Sequence, residues 1–173
     1  MKTMNCAGAG SFFLLTGLSG SGKSTLGRLL VEHLNKYGVR AASLIDGDMA
    51  RNFFEHDLSF TPEDREQMTK RMAFGAKTLV DSNIDVVMAN IAGSRNTRDF
   101  LRENFPDYIE IFMDVDAETL IEKDVKGIYK KHLASERPMI VGVDIEYESP
   151  TAPDVRVFPY KESPEQSLER IVK

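Results

Sequence analysis

Phe12-Phe13-Leu14-Leu15-Thr16-Gly17-Leu18-Ser19-Gly20-Ser21-Gly22-Lys23-Ser24-Thr25 is the stretch on which the reading of this chain turns. Its first part is an apolar run that stops at Thr16 and Gly17, which predicts a short buried strand over Ser11–Thr16. Residues Gly17 to Ser24 fit the spacing G-x-x-x-x-G-K-[ST]. Beyond them, Leu26, Leu29, Leu30, His33, Leu34 and Tyr37 recur at helical spacing, so a helix is expected over Ser24–Tyr37, with Gly38 as its stop. A glycine loop between strand and helix is more than an incidental turn. Its backbone N–H groups curl inward around phosphate oxygens. The helix start adds partial positive charge. Lys23 is suited to neutralise β- and γ-phosphates, and the Ser24 hydroxyl to ligate Mg²⁺. Gly17, Ser19, Gly20, Ser21, Gly22, Lys23, Ser24 and Thr25 are therefore the expected contacts of a nucleoside triphosphate bound with Mg²⁺. No N-K-x-D string that would read guanine is present.

Outward from this loop, apolar runs alternate with amphipathic stretches. Strands are expected at Arg40–Ile45, Ile84–Ala89, Tyr108–Met113 and Val155–Phe158. Thr61-Pro62-Glu63-Asp64 reads as a helix start, with a capping Thr and Pro at the first helical position, and that helix is expected to run to about Asp81. Asn96–Asn104 reads as a short helix, and Ala117–Lys131 as a helical stretch interrupted near Gly127. Ser163-Pro164-Glu165-Gln166 opens a last helix. Pro138–Asp154, rich in Pro, Gly and acids, reads as a loop or lid. This alternation implies βαβ units, a mostly parallel sheet with helices on both faces, and a site beyond the carboxyl ends of the strands. Gly17, Asp46 and Asn90 fall at such ends.

Composition narrows the classes. The chain has 173 residues, enough for one domain with its own core, taken here as 11–173 behind a loose leader at 1–10. Its 22 basic and 27 acidic residues give a net charge of −5, which speaks against a general nucleic-acid binder. The longest apolar run is four residues, far short of the ~20 that span a membrane. Cys6 is the single cysteine, so no intrachain disulfide can form, and with no signal-peptide pattern a cytoplasmic setting is expected.

At the end of the second strand stand Asp46-Gly47-Asp48, then Arg51. One carboxylate could sit near Mg²⁺ while the other orients or deprotonates an acceptor hydroxyl. The bland alternative is an Asx turn and a helix cap. Arg51 adds a guanidinium suited to an anionic substrate. Here the sequence resembles the adenylylsulfate (APS) kinases. The glycine loop through Thr25 and Leu44-Ile45-Asp46-Gly47-Asp48 with Arg51 match them. Asp57-Leu58-Ser59-Phe60-Thr61 is similar to D-L-G-F-S, Asp64-Arg65 to D-R, and Ile91 with Arg95 and Arg98 to I-S-P-[FY]-R-x-x-R. Lys126-Gly127-Ile128-Tyr129-Lys130-Lys131 is similar to K-G-L-Y-K-K, and Gly142 with Tyr147-Glu148 to the lid pattern G-x-x-x-x-Y-E.

The resemblance implies a three-layer P-loop kinase fold, a lid over about 124–152, and a phosphotransferase with an alcohol acceptor. It implies transfer of the γ-phosphoryl of MgATP to the ribose 3′-hydroxyl of adenosine 5′-phosphosulfate, giving PAPS, in sulfate assimilation and usually as a homodimer. By matching position, Lys23, Asp48 and Asp46 would be catalytic, with Asp48 base or orienter and Asp46 joining Ser24 near the metal. Arg51, Arg65 and Lys126 would meet the acceptor's anionic groups and Phe60 would stack on its base. Arg95 and Arg98 would flank the nucleotide. Ile91 and Ile140 stand at acceptor positions. The departures cluster there too. A substrate-binding Asn of the family is Met68, which has no amide; I-S-P-F is Ile91-Ala92-Gly93-Ser94; and F-T-G is Ile140-Val141-Gly142, without the second aromatic face for the base. Two further readings stay open: phosphorylation of another nucleotide-linked anion, such as cytidine 5′-diphosphoramidate, and a non-catalytic nucleotide sensor.

Overall fold

Strand β1 (Phe12–Thr16) lies at the centre of one parallel sheet because it is apolar on both faces. The computed structural model describes residues 8–134 and 139–173. The other strands are β2 (Ala42–Asp46), β3 (Asp85–Ala89), β4 (Tyr108–Met113) and β5 (Val155–Val157), and the order across the sheet is β2-β3-β1-β4-β5. Every pairing between them is parallel, so each connection is a crossover. The helices are α1 (Lys23–Tyr37), α2 (Gly47–Phe53), α3 (Pro62–Asp81), α4 (Arg95–Asn104), α5 (Ala117–Lys123), α6 (Ile128–Leu133) and α7 (Pro164–Val172).

The period of two along the strands sorts the core into layers. Phe12 and Leu14 of β1 with Val86 and Met88 of β3 face α3 and α4, meeting Met68, Met72, Ala76, Val80 and Leu101. Leu15 and Val87 point the other way, onto Leu26 and Leu30 of α1 and Leu168 and Ile171 of α7. A third, smaller core joins Leu18 to Leu120, Ile128, Tyr129, Ile140 and Val141, so α5, α6 and the segment after residue 138 are fastened to the glycine loop. Among the described residues no helix is long and apolar enough to cross a membrane.

Local signals explain most boundaries. Thr61 caps α3 through Asp64 N, and Ser163 and Gln166 form a reciprocal capping box on α7. The stretch Ala117–Lys131 splits into α5 and α6, with Asp124 and Gly127 both at positive φ. The expected leader reaches Gly10, whose N–H donates to Val80 O at 2.8 Å; residues 1–7 and residues 135–138 of the expected lid lie outside the described part. The strand expected to include Phe158 ends at Val157. Helix α2 was not anticipated as an element. It buries no residue, so it carries no apolar stripe to read.

Phe12 is fully buried and its ring stacks 3.8 Å from that of Phe105. Phe12→Ala is expected to cost about 3–5 kcal/mol in a urea titration, with an unchanged slope. Ser163→Ala, which removes only the α7 cap, should cost about 1 kcal/mol.

Candidate active site

The phosphate loop is shaped by close approach. Gly17 has φ +148°, and a Cβ there would lie 2.8 Å from Met113 O, so only glycine fits. The Ser19 and Gly20 carbonyls accept hydrogen bonds from the hydroxyls of Tyr129 (3.1 Å) and Tyr160 (3.0 Å). These bonds tie the loop to α6 and to the segment after β5. Lys23 Nζ donates to Gly17 O (2.8 Å) and Leu18 O (2.6 Å). Burial above all, with nearby Lys126, pulls its ammonium down to about 7 against the opposing pull of Asp48 and Asp46.

Asp46 ties the phosphate loop to the start of α2. It is 5% exposed at the end of β2. Its Oδ2 accepts the Ser24 hydroxyl at 2.5 Å, and its Oδ1 accepts from the N–H groups of Asp48 (2.9 Å) and Met49 (3.3 Å), capping α2. Ser24 Oγ and Asp46 Oδ2 are thus adjacent hard oxygen donors, the kind Mg²⁺ takes alongside phosphate oxygens and water. Among the described residues no three His, Cys, Asp or Glu side chains converge on a metal position, so such a cation would draw most of its ligands from nucleotide and water.

Asp48 stands at the mouth of the site, where its Oδ2 pairs with Lys126 Nζ at 2.5 Å, joining the first turn of α2 to the turn between α5 and α6. Phe60 lies between two guanidiniums, with Arg51 4.5 Å and Arg65 5.4 Å from its ring centre. Each is further anchored: Arg51 to Ser59 O at 3.0 Å, Arg65 to Phe60 O at 2.9 Å and Met139 O at 2.7 Å. A cavity of about 460 Å³ connects these groups. It brings together Ser19, Gly20, Gly22, Lys23, Ser24, Thr25, Asp46, Asp48, Arg51, Phe60, Arg65, Ile91, Lys126 and Ile140. Gly17 and Ser21 support the loop without lining it.

Arg95 and Arg98 do not line it either. Arg98 is 4% exposed, donates to Ala92 O at 2.8 Å and lies 3.8 Å from the buried Glu110 carboxylate. Its guanidinium is spent inside the protein. Arg95 opens α4, is exposed, and its backbone N–H donates to Glu148. Met68 is both core and cavity wall: 3% exposed, packed with Met72 and Leu14, and lining the cavity. Ile140 is likewise held in the lid core while its surface reaches the cavity. The sequence marked Asn90 only by its place at a strand end, and Thr69 not at all; both line the cavity and bond to each other at 3.2 Å. The signal available was a polar pair in otherwise apolar surroundings at a strand end.

The sequence model of the adenylylsulphate kinase family matches residues 9–158. The chain belongs to that family. It is 40% identical over 158 residues to the probable adenylyl-sulfate kinase of Pseudomonas aeruginosa, covering 91% of this chain and 73% of that one. Among solved structures, an APS kinase of Mycobacterium tuberculosis in complex with AMPPNP and APS aligns with a TM-score of 0.87 at 30% identity, over 95% of this chain and 96% of that one. A hexameric APS kinase from Thiobacillus denitrificans aligns at 0.71 and 25% identity, over 98% of this chain and 29% of that one. This adenylylsulphate kinase family member is therefore a phosphotransferase with an alcohol acceptor, on the P-loop kinase fold expected from the sequence.

The lowered Lys23 sets a pH dependence. A triphosphate beside it favours the charged form, so binding above about pH 7 draws a proton onto Nζ, and affinity falls as pH rises from there. At pH 8, calorimetry of ATP binding should give different heats in buffers of different ionisation enthalpy. Lys23→Met should remove that difference. Identical heats for the unaltered chain would contradict the assignment.

Proposed function

We propose that this chain transfers the γ-phosphoryl group of ATP to the 3′-hydroxyl of adenosine 5′-phosphosulfate, giving PAPS and ADP. What carries this reading is one cavity in which a phosphate loop faces a carboxylate, Asp48, flanked by the cationic clamp Arg51–Phe60–Arg65. The loop amides and Lys23 hold the β- and γ-phosphates. Ser24 and Asp46 would hold Mg²⁺, which would offset the negative charge that develops on the phosphate oxygens. Asp48 accepts the hydrogen bond of the 3′-hydroxyl and aims its oxygen at the γ-phosphorus. The bond from that oxygen to phosphorus forms, the bond from phosphorus to the bridging β,γ-oxygen breaks, and the hydroxyl proton leaves by way of the carboxylate.

Lys126 has to leave Asp48 for this to happen. Both groups are largely exposed, at 41% and 66% of their side chains, so an anionic acceptor can exchange with the pair at small cost. Arg51 and Arg65 then meet the acceptor's phosphosulfate end and Phe60 its base. The lid excludes water, which a kinase needs in order not to hydrolyse ATP. The assembly proposed is a homodimer acting in the cytoplasm in sulfate assimilation; the mass in solution, by light scattering, separates it from the hexamer of the Thiobacillus denitrificans relative.

Met68, Ala92 and Ile140 favour a second reading, in which the acceptor is another nucleotide-linked anion with a smaller base, such as cytidine 5′-diphosphoramidate. ADP release measured with APS, with that compound and with plain nucleotides decides between them. Turnover with none of these, despite tight ATP binding, would point to a sensor.

Asp48→Asn should lower kcat with APS by about 10²-fold or more and leave the ATP KM within a few-fold. Equal losses in kcat and ATP affinity would refute its role. Ile140→Phe should lower the APS KM by supplying a second face for the base, a gain of up to about tenfold.

A further inference from the structure

Asn90 follows β3, where its side chain is held in one orientation. Its Oδ1 accepts the Ala92 N–H at 2.8 Å. Ala92 sits at φ +42°, and its carbonyl accepts from the buried Arg98 at 2.8 Å, so the Ala92 peptide is gripped from both sides. With Oδ1 committed, the Asn90 amide cannot turn over, and Nδ2 must face α3. There it meets Thr69 Oγ1 at 3.2 Å and the Met72 sulfur at 3.3 Å. Thr69 spends its own hydroxyl hydrogen on Arg65 O at 2.9 Å, so toward Asn90 it acts as acceptor.

One Nδ2 hydrogen is thus well satisfied and the other rests on a thioether, a weak acceptor. All three side chains line the acceptor end of the cavity, beside Met68. Met68 is the position at which an amide donor would have been expected and cannot be supplied. The walls around this point, Met68, Met72, Ile91 and Ala92, carry no polar side chain. A nucleotide reaching it would bury a ring nitrogen or an oxygen against hydrocarbon and sulfur, with Asn90 as the side-chain amide in reach.

We infer that Asn90 is a specificity-determining residue for the acceptor nucleotide: its Nδ2 exchanges the Met72 sulfur for an acceptor atom of the bound nucleoside, doing from β3 what Met68 cannot do from α3. This rests on the function proposed above. The role is in acceptor recognition, so the nucleoside triphosphate should not sense it.

The test is steady-state kinetics with APS and ATP varied in turn, together with melting temperature, on the unaltered chain, Asn90→Ala, Asn90→Asp, Met68→Asn and the double variant Met68→Asn/Asn90→Ala. Removing a neutral donor from a substrate atom predicts an APS KM raised roughly tenfold in Asn90→Ala, with the ATP KM within twofold. Asn90→Asp, which keeps an acceptor for the Ala92 N–H but loses the donor, should raise it at least as much without loss of fold. Met68→Asn, which supplies a donor from α3, should in the double variant bring the APS KM back toward the starting value. An unchanged APS KM in both Asn90 variants would overturn the inference. So would a parallel rise of both KM values with a lowered melting temperature, which marks a purely structural asparagine, and so would equal gains from Met68→Asn with and without Asn90. Absence of APS turnover by the unaltered chain would instead overturn the proposed function, and this inference with it.

Discussion

The site depends on a single buried carboxylate. Asp46 divides its two oxygens between the Ser24 hydroxyl and the first amides of α2, so the start of α1 and the start of α2 share one anchor. Hydrogen bonds to a charged group are worth roughly 1.5–3 kcal/mol each, against about 1 for neutral ones, which is enough to hold a short exposed helix that packing alone would not. The anchor is itself fixed in depth by the sheet, since Asp46 lies opposite Ala89 in the β2–β3 register. Asp48 follows two residues later and inherits that position. The phosphate loop and the Asp48 carboxylate are therefore set relative to each other by one side chain.

Around this anchor the two halves of the cavity differ in how they are held. The nucleotide half is rigid: glycines pressed against β4, loop carbonyls tied by Tyr129 and Tyr160, and Lys23 folded onto Gly17 and Leu18. The acceptor half is fastened by contacts that a substrate can replace. The pair Lys126–Asp48 is exposed, and such pairs contribute at most about 1 kcal/mol. Arg51 and Arg65 hold Phe60 through faces that could equally stack on a base or meet an anion. Deeper in, Arg98 and Glu110 stiffen the strained Ala92 turn that forms the floor, a structural use of an arginine that the family motif would place near nucleotide.

How much of this was legible in the sequence follows from which forces act locally. Strands β1 and β3 were readable because burial on both faces leaves apolar runs, and α3 and α7 because their caps are spelled out in order. Helix α2 was not, because it is seven residues long and owes its existence to Asp46 rather than to an apolar stripe. The cap was visible as an Asx turn, and the structure makes cap and Ser24 partner the same residue. Arg98 was misjudged for a different reason. Its partner, Glu110, is on β4, and only the packing of α4 on the sheet brings them together. An acid inside the apolar run Tyr108–Met113 was the available sign that a buried cation must be near. Asn90 was placed at a strand end but given no role, because a single polar residue after a strand has many explanations until its neighbours are known.

The account stands or falls on where Asp48 points once both substrates are bound. A crystal structure of this chain with a non-hydrolysable ATP analogue and APS measures it directly. The prediction is an Asp48 carboxylate oxygen within about 2.6–3.2 Å of the ribose 3′-oxygen, that oxygen in line with the γ-phosphorus, and Lys126 turned away onto the acceptor. An Asp48 still paired to Lys126, with the 3′-hydroxyl directed elsewhere, would contradict it.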